Sequence, residues 1–139
     1  MNIKEVLSGT DIQKTWNVMH LLRPHLKESE YVSLVKEMMA EGYKMAYVEE
    51  NNIAVSVIGF RHLQFLFNGK HIYIDDLSTL EEYRGKGCGG KLLEYVDNIA
   101  KQQGYKSVTL DSGTHRHNAH RLYMTKGYVI QGYHFTKSL

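Results

Sequence analysis

Apolar residues near the N-terminus recur at spacings of three and four positions, which predicts two amphipathic helices. One pattern begins at Ile12 and runs to the only proline, Pro24, and the second begins at Tyr31 and runs to Gly42. Proline cannot continue a helix and glycine commonly follows one, so these two residues mark the helix ends. A short strand is predicted before the helices, within Met1–Leu7.

From residue 43 onwards the apolar period shortens to two, which is typical of strands. Asn51-Asn52 predicts a tight turn and Asn68-Gly69 predicts a hairpin between successive strands. Gly104 and Gly127 follow two later helical patterns as stop signals. Strands are therefore predicted at 43–49, 53–67, 72–77, 106–111 and 128–137, and the two later helices at 92–100 and 115–126.

The predicted elements follow the order β-α-α-β-β-β-α-β-α-β, which indicates a mixed α/β fold. Its central sheet should be mostly antiparallel and flanked by helices, with a right-handed crossover in the second half. A chain of 139 residues is long enough to bury one core, so we expect a single domain over residues 1–139.

Charge and composition narrow the classes of partner. The formal net charge is only +2, and no basic stripe is interleaved with aromatic residues, so we expect no nucleic acid partner. No apolar stretch approaches the eighteen residues of a membrane span, and no signal-type segment is present at the N-terminus. The single cysteine suits a reducing compartment, so we expect a cytoplasmic protein with no membrane partner.

The most informative segment lies between the third hairpin strand and the next helix. Residues 83–92 read Tyr-Arg-Gly-Lys-Gly-Cys-Gly-Gly-Lys-Leu. Glycines allow backbone to approach a ligand closely, and the N–H groups of a helix N-terminus attract anions. Four glycines beside Arg84 and Lys86 therefore predict a cradle for a phosphate or pyrophosphate, in preference to a simple glycine-rich turn.

Two better-known phosphate loops do not fit this segment. A Walker loop needs Ser or Thr after its lysine, and Leu92 follows Lys91. A dinucleotide fingerprint needs Gly-x-Gly-x-x-Gly near the first strand, and residues 85–89 break that spacing past the middle of the chain.

The segment Arg84–Gly89 instead fits Arg/Gln-x-x-Gly-x-Gly/Ala, which resembles the acetyl-CoA loop of the GNAT N-acetyltransferase superfamily. Ile74–Thr79 and Asn118–Tyr128 are also similar to family segments, and the predicted order of elements matches over nearly the whole chain. The resemblance implies the GNAT fold and the transfer of an acetyl group from acetyl-CoA, with no metal. A primary amine of a small molecule would attack the thioester directly.

The resemblance also assigns residues to the cofactor. Pyrophosphate would be held by the backbone and cations of the cradle, and the pantetheine arm by the backbone of the preceding strand. Asn118 and Lys126 would contribute further contacts, whereas the role of Arg116 stays open. The implied cofactor-binding residues are Leu77, Ser78, Thr79, Arg84, Gly85, Lys86, Gly87, Cys88, Gly89, Gly90, Asn118 and Lys126.

Three residues are implied in catalysis. Tyr123 matches the family tyrosine that protonates the leaving thiolate, although it could instead be a packing residue. Asp75 or Asp76 could accept the proton of the amine, or could be a structural carboxylate. Because neighbouring strand residues point to opposite faces, we expect only one of the two to face the substrate.

Several alternatives stay open at this level. Cys88 is expected to pack beneath the cradle, with a nucleophilic thiol as the other reading. His115, His117 and His120 lack an accompanying carboxylate or cysteine at ligand spacing, so we expect no metal site. The chain could also be a non-catalytic CoA-binding module, a structural protein, or an enzyme acting on a protein amine. A terminal edge strand at 128–139 would allow a homodimer.

Overall fold

The structure is a computed structural model that describes every residue from Met1 to Leu139. It divides into two compact units, Met1–Thr109 and Leu110–Leu139, which are described separately. The single domain expected over residues 1–139 stays a prediction.

The first unit is built on an antiparallel sheet with helices between its first two strands. Its strands are β1 (Asn2–Glu5), β2 (Lys44–Glu50), β3 (Ile53–Phe65) and β4 (Gly69–Thr79), and its helices are α1 (Gly9–Lys14), α2 (Trp16–Leu22), α3 (Glu28–Ala40) and α4 (Cys88–Gln102). The first four strands pair antiparallel in the order β1-β2-β3-β4, and a short β5 (Val108–Leu110) follows β4 in the sheet. The predicted mixed α/β order is confirmed over this part of the chain.

The predicted turns adopt the backbone that their residue types favour. Asn51 and Asn52 both have positive φ, at 52° and 62°, and they join β2 to β3. Asparagine is one of the few residues that tolerate this region, which explains its use in a two-residue hairpin. The hairpin signal at Asn68-Gly69 is confirmed between β3 and β4.

The first predicted helix is divided into α1 and α2 at Thr15. The buried Thr15 hydroxyl donates to the Ile12 carbonyl at 2.7 Å and lies 2.7 Å from the Tyr31 hydroxyl of α3. These helices and the sheet bury one apolar cluster that includes Ile12, Trp16 and Tyr31. No helix of the structure combines the length and apolar character needed to span a membrane.

Helix α4 anchors the glycine-rich segment that is predicted to bind phosphate. Its buried face consists of Leu92, Leu93, Val96 and Ala100, as the helical spacing predicts, together with Cys88 in the first turn. Burying four aliphatic side chains holds the helix against the sheet and thereby fixes the position of its N-terminus.

The second unit contains one helix, α5 (His117–Thr125), and an irregular C-terminal segment. The strand predicted over residues 128–137 is wrong. Both of its alternating sets of side chains are exposed, with Ile130 and Tyr133 at 74% and 89%, so no face is buried to support a strand. Gly132 also interrupts the apolar run and weakens strand formation. The homodimer stays a prediction, and this edge strand no longer supports it.

Candidate functional site

The cradle, defined as residues 84–90, presents free backbone donors at the start of α4. Gly85 and Gly87 have φ of +75° and +86°, a region that favours glycine, and Gly87 is the residue that caps the helix. The first helical bond runs from Lys91 N to Gly87 O at 3.0 Å. The N–H groups of the three preceding helical residues therefore lack helix partners, and no side chain caps them.

The charge around these donors also favours an anion. The first turn of α4 contains no acidic residue, so no side chain of that turn offsets the positive end of the helix dipole. Arg84 and Lys86 are both exposed beside it. Arg84 Nε donates to the Thr79 carbonyl at 3.2 Å, and Lys86 Nζ lies 5.0 Å from the centre of the Tyr83 ring.

Cys88 lies beneath the cradle and is only 2% exposed. Burial raises the pKa of its thiol, and the charge of Glu50 adds to this effect. A buried thiol with a raised pKa is neutral at physiological pH, so the structure favours the packing interpretation of Cys88 over the nucleophilic one.

At the end of β4, the backbone N–H and C=O groups of alternate residues point away from β3. Leu80 N donates to Val55 O at 2.8 Å, and the pairs Ser56↔Thr79, Val57↔Ser78 and Ile58↔Leu77 follow in register. In an antiparallel ladder, hydrogen-bonded and non-bonded pairs alternate. Leu77 and Thr79 therefore point their N–H and C=O groups to the other edge, whereas those of Ser78 face β3.

Side-chain contacts agree with this alternation. Ser56 Oγ donates to the Ser78 carbonyl at 3.0 Å, on the β3 side of the strand. The Thr79 carbonyl instead receives Arg84 Nε. Of the three residues predicted to contact a pantetheine arm through their backbone, the geometry suits Leu77 and Thr79 but not Ser78.

Strand β5 is too short to pair with the outer edge of β4 near these residues. Ile72 N donates to Ser107 O at 3.3 Å, immediately before β5 begins. Three residues of strand cover about 10 Å, whereas Ile72 and Leu77 are separated by roughly 16 Å along β4. Strand β5 therefore cannot pair with Leu77 or Thr79.

A β-bulge overturns the expectation that Asp75 and Asp76 face opposite sides. Gly59 pairs with Asp76 and Phe60 with Ile74, so Asp75 is the extra residue of β4. A bulge breaks the alternation of side chains along a strand. Both carboxylates consequently join one group of interacting side chains, the carboxylate cluster, which consists of Arg23, Tyr43, Arg61, Asp75 and Asp76.

Each carboxylate in the cluster has two donors or a bidentate partner. Arg61 Nε donates to Asp75 Oδ1 at 3.0 Å, and its Nη2 donates to Asp75 Oδ2 at 2.8 Å. Asp76 Oδ2 accepts the Tyr43 hydroxyl at 2.6 Å, and its Oδ1 accepts Arg23 Nε at 3.0 Å. The guanidinium of Arg61 lies 5.4 Å from the centre of the Tyr43 ring, which connects the two halves of the cluster.

Ionisation in the cluster follows from burial and pairing. Burial raises the pKa of Asp75, and the hydrogen bonds from Arg61 oppose that rise. Burial, followed by the charge of Asp76, raises the pKa of Tyr43 well above its ordinary value. Tyr43 therefore stays protonated and acts as a hydrogen-bond donor to Asp76 at neutral pH.

Gly59 makes the contact between Tyr43 and Asp76 sterically possible. A Cβ atom at this position would lie 1.8 Å from Tyr43 Oη and 2.5 Å from its Cζ. The Tyr43 side chain is 3% exposed and thus has no open space into which it could retreat. The phenol passes directly over the glycine to reach the carboxylate.

We expect Gly59→Ala to destabilise the protein by about 2–3 kcal/mol, because overpacking displaces the phenol and breaks its bond to a charged group. The free energy of unfolding in urea measures this loss. In a Tyr43→Ala background the same glycine substitution should cost much less, since the three atoms nearest to the added Cβ all belong to Tyr43. Gly132→Ala, which places its Cβ in open space, is the matched control. Equal losses in both backgrounds would contradict the clash.

In the second unit, Tyr123 lies on α5 and is partly buried. Burial raises the pKa of its phenol, and the charge of Arg116 opposes that rise. The ring packs 5.8 Å from the ring of Tyr128. The phenol is therefore protonated at neutral pH, as a proton donor must be.

The other predicted residues of this unit are more exposed. Asn118 and Lys126 are exposed near the two ends of α5, and Lys126 N donates to the Tyr123 carbonyl at 3.1 Å. His120 Nε2 lies 3.1 Å from Ser112 Oγ, and its ring centre is 6.3 Å from that of His117.

Comparison with known proteins identifies the family. The sequence model described as the Acetyltransferase (GNAT) family matches residues 12–128, which include β4, the cradle and α5. The chain belongs to the GNAT acetyltransferase family. It is accordingly an acyltransferase, as the resemblance of Arg84–Gly89 implies.

Relatives of this GNAT chain are themselves N-acetyltransferases. An uncharacterised N-acetyltransferase of Bacillus subtilis, YhdJ, is 30% identical over 139 residues, covering 99% of this chain and 98% of the relative. The aminoalkylphosphonate N-acetyltransferase of Salmonella typhimurium is 32% identical over 87 residues, covering 60% of this chain and 56% of the relative. The solved structure of aminoglycoside N-acetyltransferase AAC(6′)-Iy in complex with CoA superposes with a TM-score of 0.86 at 12% identity, covering 99% of this chain and 93% of that one. The GNAT fold is confirmed.

Sequence reasoning missed three members of the carboxylate cluster in this GNAT chain. Arg23, Tyr43 and Arg61 lie in three different segments of the N-terminal half, and nothing local distinguishes them from surface or core residues. One signal was available, because a glycine inside a β-rich run often marks a bulge or a close backbone approach. Gly59 is such a residue, and it lies both at the bulge and beneath Tyr43.

Proposed function

We propose that this GNAT protein transfers the acetyl group of acetyl-CoA to a primary amine of a small molecule. The proposal is supported by the alignment of three features at one end of β4. They are the proposed anion-binding cradle, the outward-facing backbone of Leu77 with the outward N–H of Thr79, and the carboxylate cluster at Asp75 and Asp76. The strand segment from Asp75 to Thr79 covers about 13 Å, which suits an extended thioester arm.

The cradle fits the pyrophosphate of the cofactor. Its N–H groups at Cys88, Gly89 and Gly90 and the helix dipole supply the main attraction. The exposed cations Arg84 and Lys86 add charge-assisted contacts that weaken with salt. Leu77 and Thr79 then hold the pantetheine arm by strand-like hydrogen bonds, with smaller contributions from Asn118 and Lys126.

Different residues carry out the separate steps of acetyl transfer. The amine nitrogen bonds to the acetyl carbon, the carbon–sulfur bond breaks, and the outward N–H of Leu77 stabilises the oxyanion formed between these events. Asp75, whose pKa is raised by burial, accepts the surplus amine proton through water. Tyr123 gives its proton to the departing thiolate. Both carboxylates accept hydrogen bonds on both oxygens, but Asp76 is bonded by two separate residues, Arg23 and Tyr43, and acts as a positioning residue.

Relatives support a small amine as the acceptor. The names of the Salmonella relative and of AAC(6′)-Iy refer to aminoalkylphosphonate and aminoglycoside, both of which carry amines. We further propose that the reaction takes place in the cytoplasm, since a chain with a single cysteine forms no internal disulfide and suits a reducing compartment.

Thermal unfolding with CoA, followed by assay of an amine panel, tests the proposal. CoA at one hundred times its Kd should stabilise the protein by about 2.7 kcal/mol. Acetylated product should then form from acetyl-CoA and at least one small amine. Stabilisation without any product would favour a non-catalytic CoA-binding module. A protein that CoA does not stabilise would have a purely structural glycine loop.

A further inference from the structure

The carboxylate cluster is balanced in charge. It contains two arginines and two aspartates, and each carboxylate is paired, Asp76 with Arg23 at 2.9 Å and Asp75 with Arg61 at 2.8 Å. A charge-balanced cluster creates little net potential of either sign, so its preference among ligands depends on which individual donors or acceptors are left unbonded and exposed. The acceptor end of β4 is therefore poorly suited to collect a polycationic amine.

Arg23 and Arg61 both bond through Nε and Nη2, and Arg23 is the more exposed of the two. The Nε and Nη2 of Arg23 bond Asp76 Oδ1 and the Asp75 carbonyl, and no bond is made by Nη1. The Arg23 side chain is 39% exposed, against 22% for that of Arg61 and 11% for that of Asp76. Arg23 thus presents unused guanidinium donors to solvent at the rim of the cluster.

Local structure holds Arg23 in this position. It ends α2, where its backbone N–H donates to Met19 O at 2.9 Å, and Pro24 follows it. The Nη2 bond to the Asp75 carbonyl attaches the guanidinium to the bulge in β4. A cation that is immobilised before binding loses less entropy when it binds a planar or tetrahedral oxyanion.

We propose that Arg23 selects acceptor amines that also carry an anionic oxygen group, such as a phosphonate, phosphate or carboxylate. This inference rests on the proposed function, whose acceptor class it narrows. The anion binds the free Nη1 side of Arg23, and the amine reaches towards the acetyl group held beside Leu77. Asp75 and Leu77 are separated by roughly 7 Å of strand, a distance that a short aliphatic chain bridges.

The experiment compares four amines that share a three-carbon spacer and differ in charge, together with one bulky polycation. Initial rates with acetyl-CoA are measured for 3-aminopropylphosphonate, 4-aminobutyrate, propylamine, 1,3-diaminopropane and kanamycin, by detecting released CoA. The wild type should show a kcat/KM for 3-aminopropylphosphonate at least about tenfold above those of propylamine and the diamine. Kanamycin, a polycation, should be the poorest acceptor.

Variants of Arg23 test whether this residue binds the anionic group. The intrinsic reactivity of each amine is the same for every variant, so it cancels when the ratio of kcat/KM for two amines is compared between proteins. Arg23→Gln should reduce the ratio of phosphonate to propylamine kcat/KM by about tenfold, mainly through KM. Arg23→Lys keeps the charge and should restore part of that ratio. Lys101→Gln removes one exposed cation from the last turn of α4 and is the matched control, which should keep the wild-type ratio.

Two results would overturn the inference alone. Either the wild type prefers the diamine or kanamycin, or Arg23→Gln keeps the wild-type ratio while its CoA affinity and unfolding transition are normal. Acetyl transfer would stand in both cases. If the wild type binds CoA but acetylates no amine, both the inference and the proposed function fail.

Discussion

Gly87→Val should raise the Kd for CoA by about 100-fold or more, because a β-branched residue is an outlier at the φ of +86° that Gly87 adopts. The space around this glycine is not the obstacle, since the nearest atom to an added Cβ would be Met1 Cε at 3.8 Å. The loop must instead change its backbone path. That change turns the N–H groups at the start of α4 away from the pyrophosphate.

Gly104→Val is the matched control, because Gly104 follows the other end of α4 and also has a positive φ, +73°. Both substitutions should cost roughly 1–3 kcal/mol of stability, measured by urea unfolding. Only Gly87→Val should weaken CoA binding, measured by calorimetry. Equal CoA affinities in the two variants would remove the cradle from the proposed site.

Tyr123→Phe should lower kcat by about 10²- to 10³-fold, because it removes the proposed proton donor to the thiolate. The Kd for CoA should stay at the wild-type value. Rapid-quench measurement of the acetylated amine separates this chemical step from product release. Tyr133→Phe, which removes the phenol oxygen of an exposed residue in the same unit, should keep the wild-type kcat.

The pH dependence of kcat provides a second check on Tyr123. Burial raises the pKa of its phenol above the ordinary value of 10.0, so the donor keeps its proton throughout the neutral range. The wild-type kcat should therefore decline only at pH above that value, and Tyr123→Phe should lack this decline. A variant with normal kcat and an unchanged alkaline limb would assign Tyr123 a packing role.

Local sequence signals anticipated the elements whose conformation depends on single residues. Asn51-Asn52 and Gly87 adopt positive φ, and α4 buries the face that its spacing predicts. The prediction of a strand over residues 128–137 was wrong because an alternating apolar pattern is necessary for a strand but not sufficient. A strand also needs a neighbour to satisfy its backbone and a face to bury, and residues 128–137 have neither.

In the carboxylate cluster, by contrast, local sequence signals did not predict which side chains come together. Asp75 and Asp76 were identified in the sequence, yet their partners were not, because Arg23 is 53 positions and Tyr43 33 positions away from Asp76. Pairing over such distances depends on the register of three strands and on the bulge opposite Gly59. A shift of one residue would separate these side chains.

The sequence by itself determined the cradle, the helix and hairpin positions, and the family, since backbone preference and periodicity belong to each residue and its near neighbours. Only the tertiary structure decided which backbone groups of β4 face outward, that both aspartates share one cluster, and that Arg23 keeps unused donors. These features arise from register, burial and the close passage of Tyr43 over Gly59, which are properties of chain segments brought together by folding.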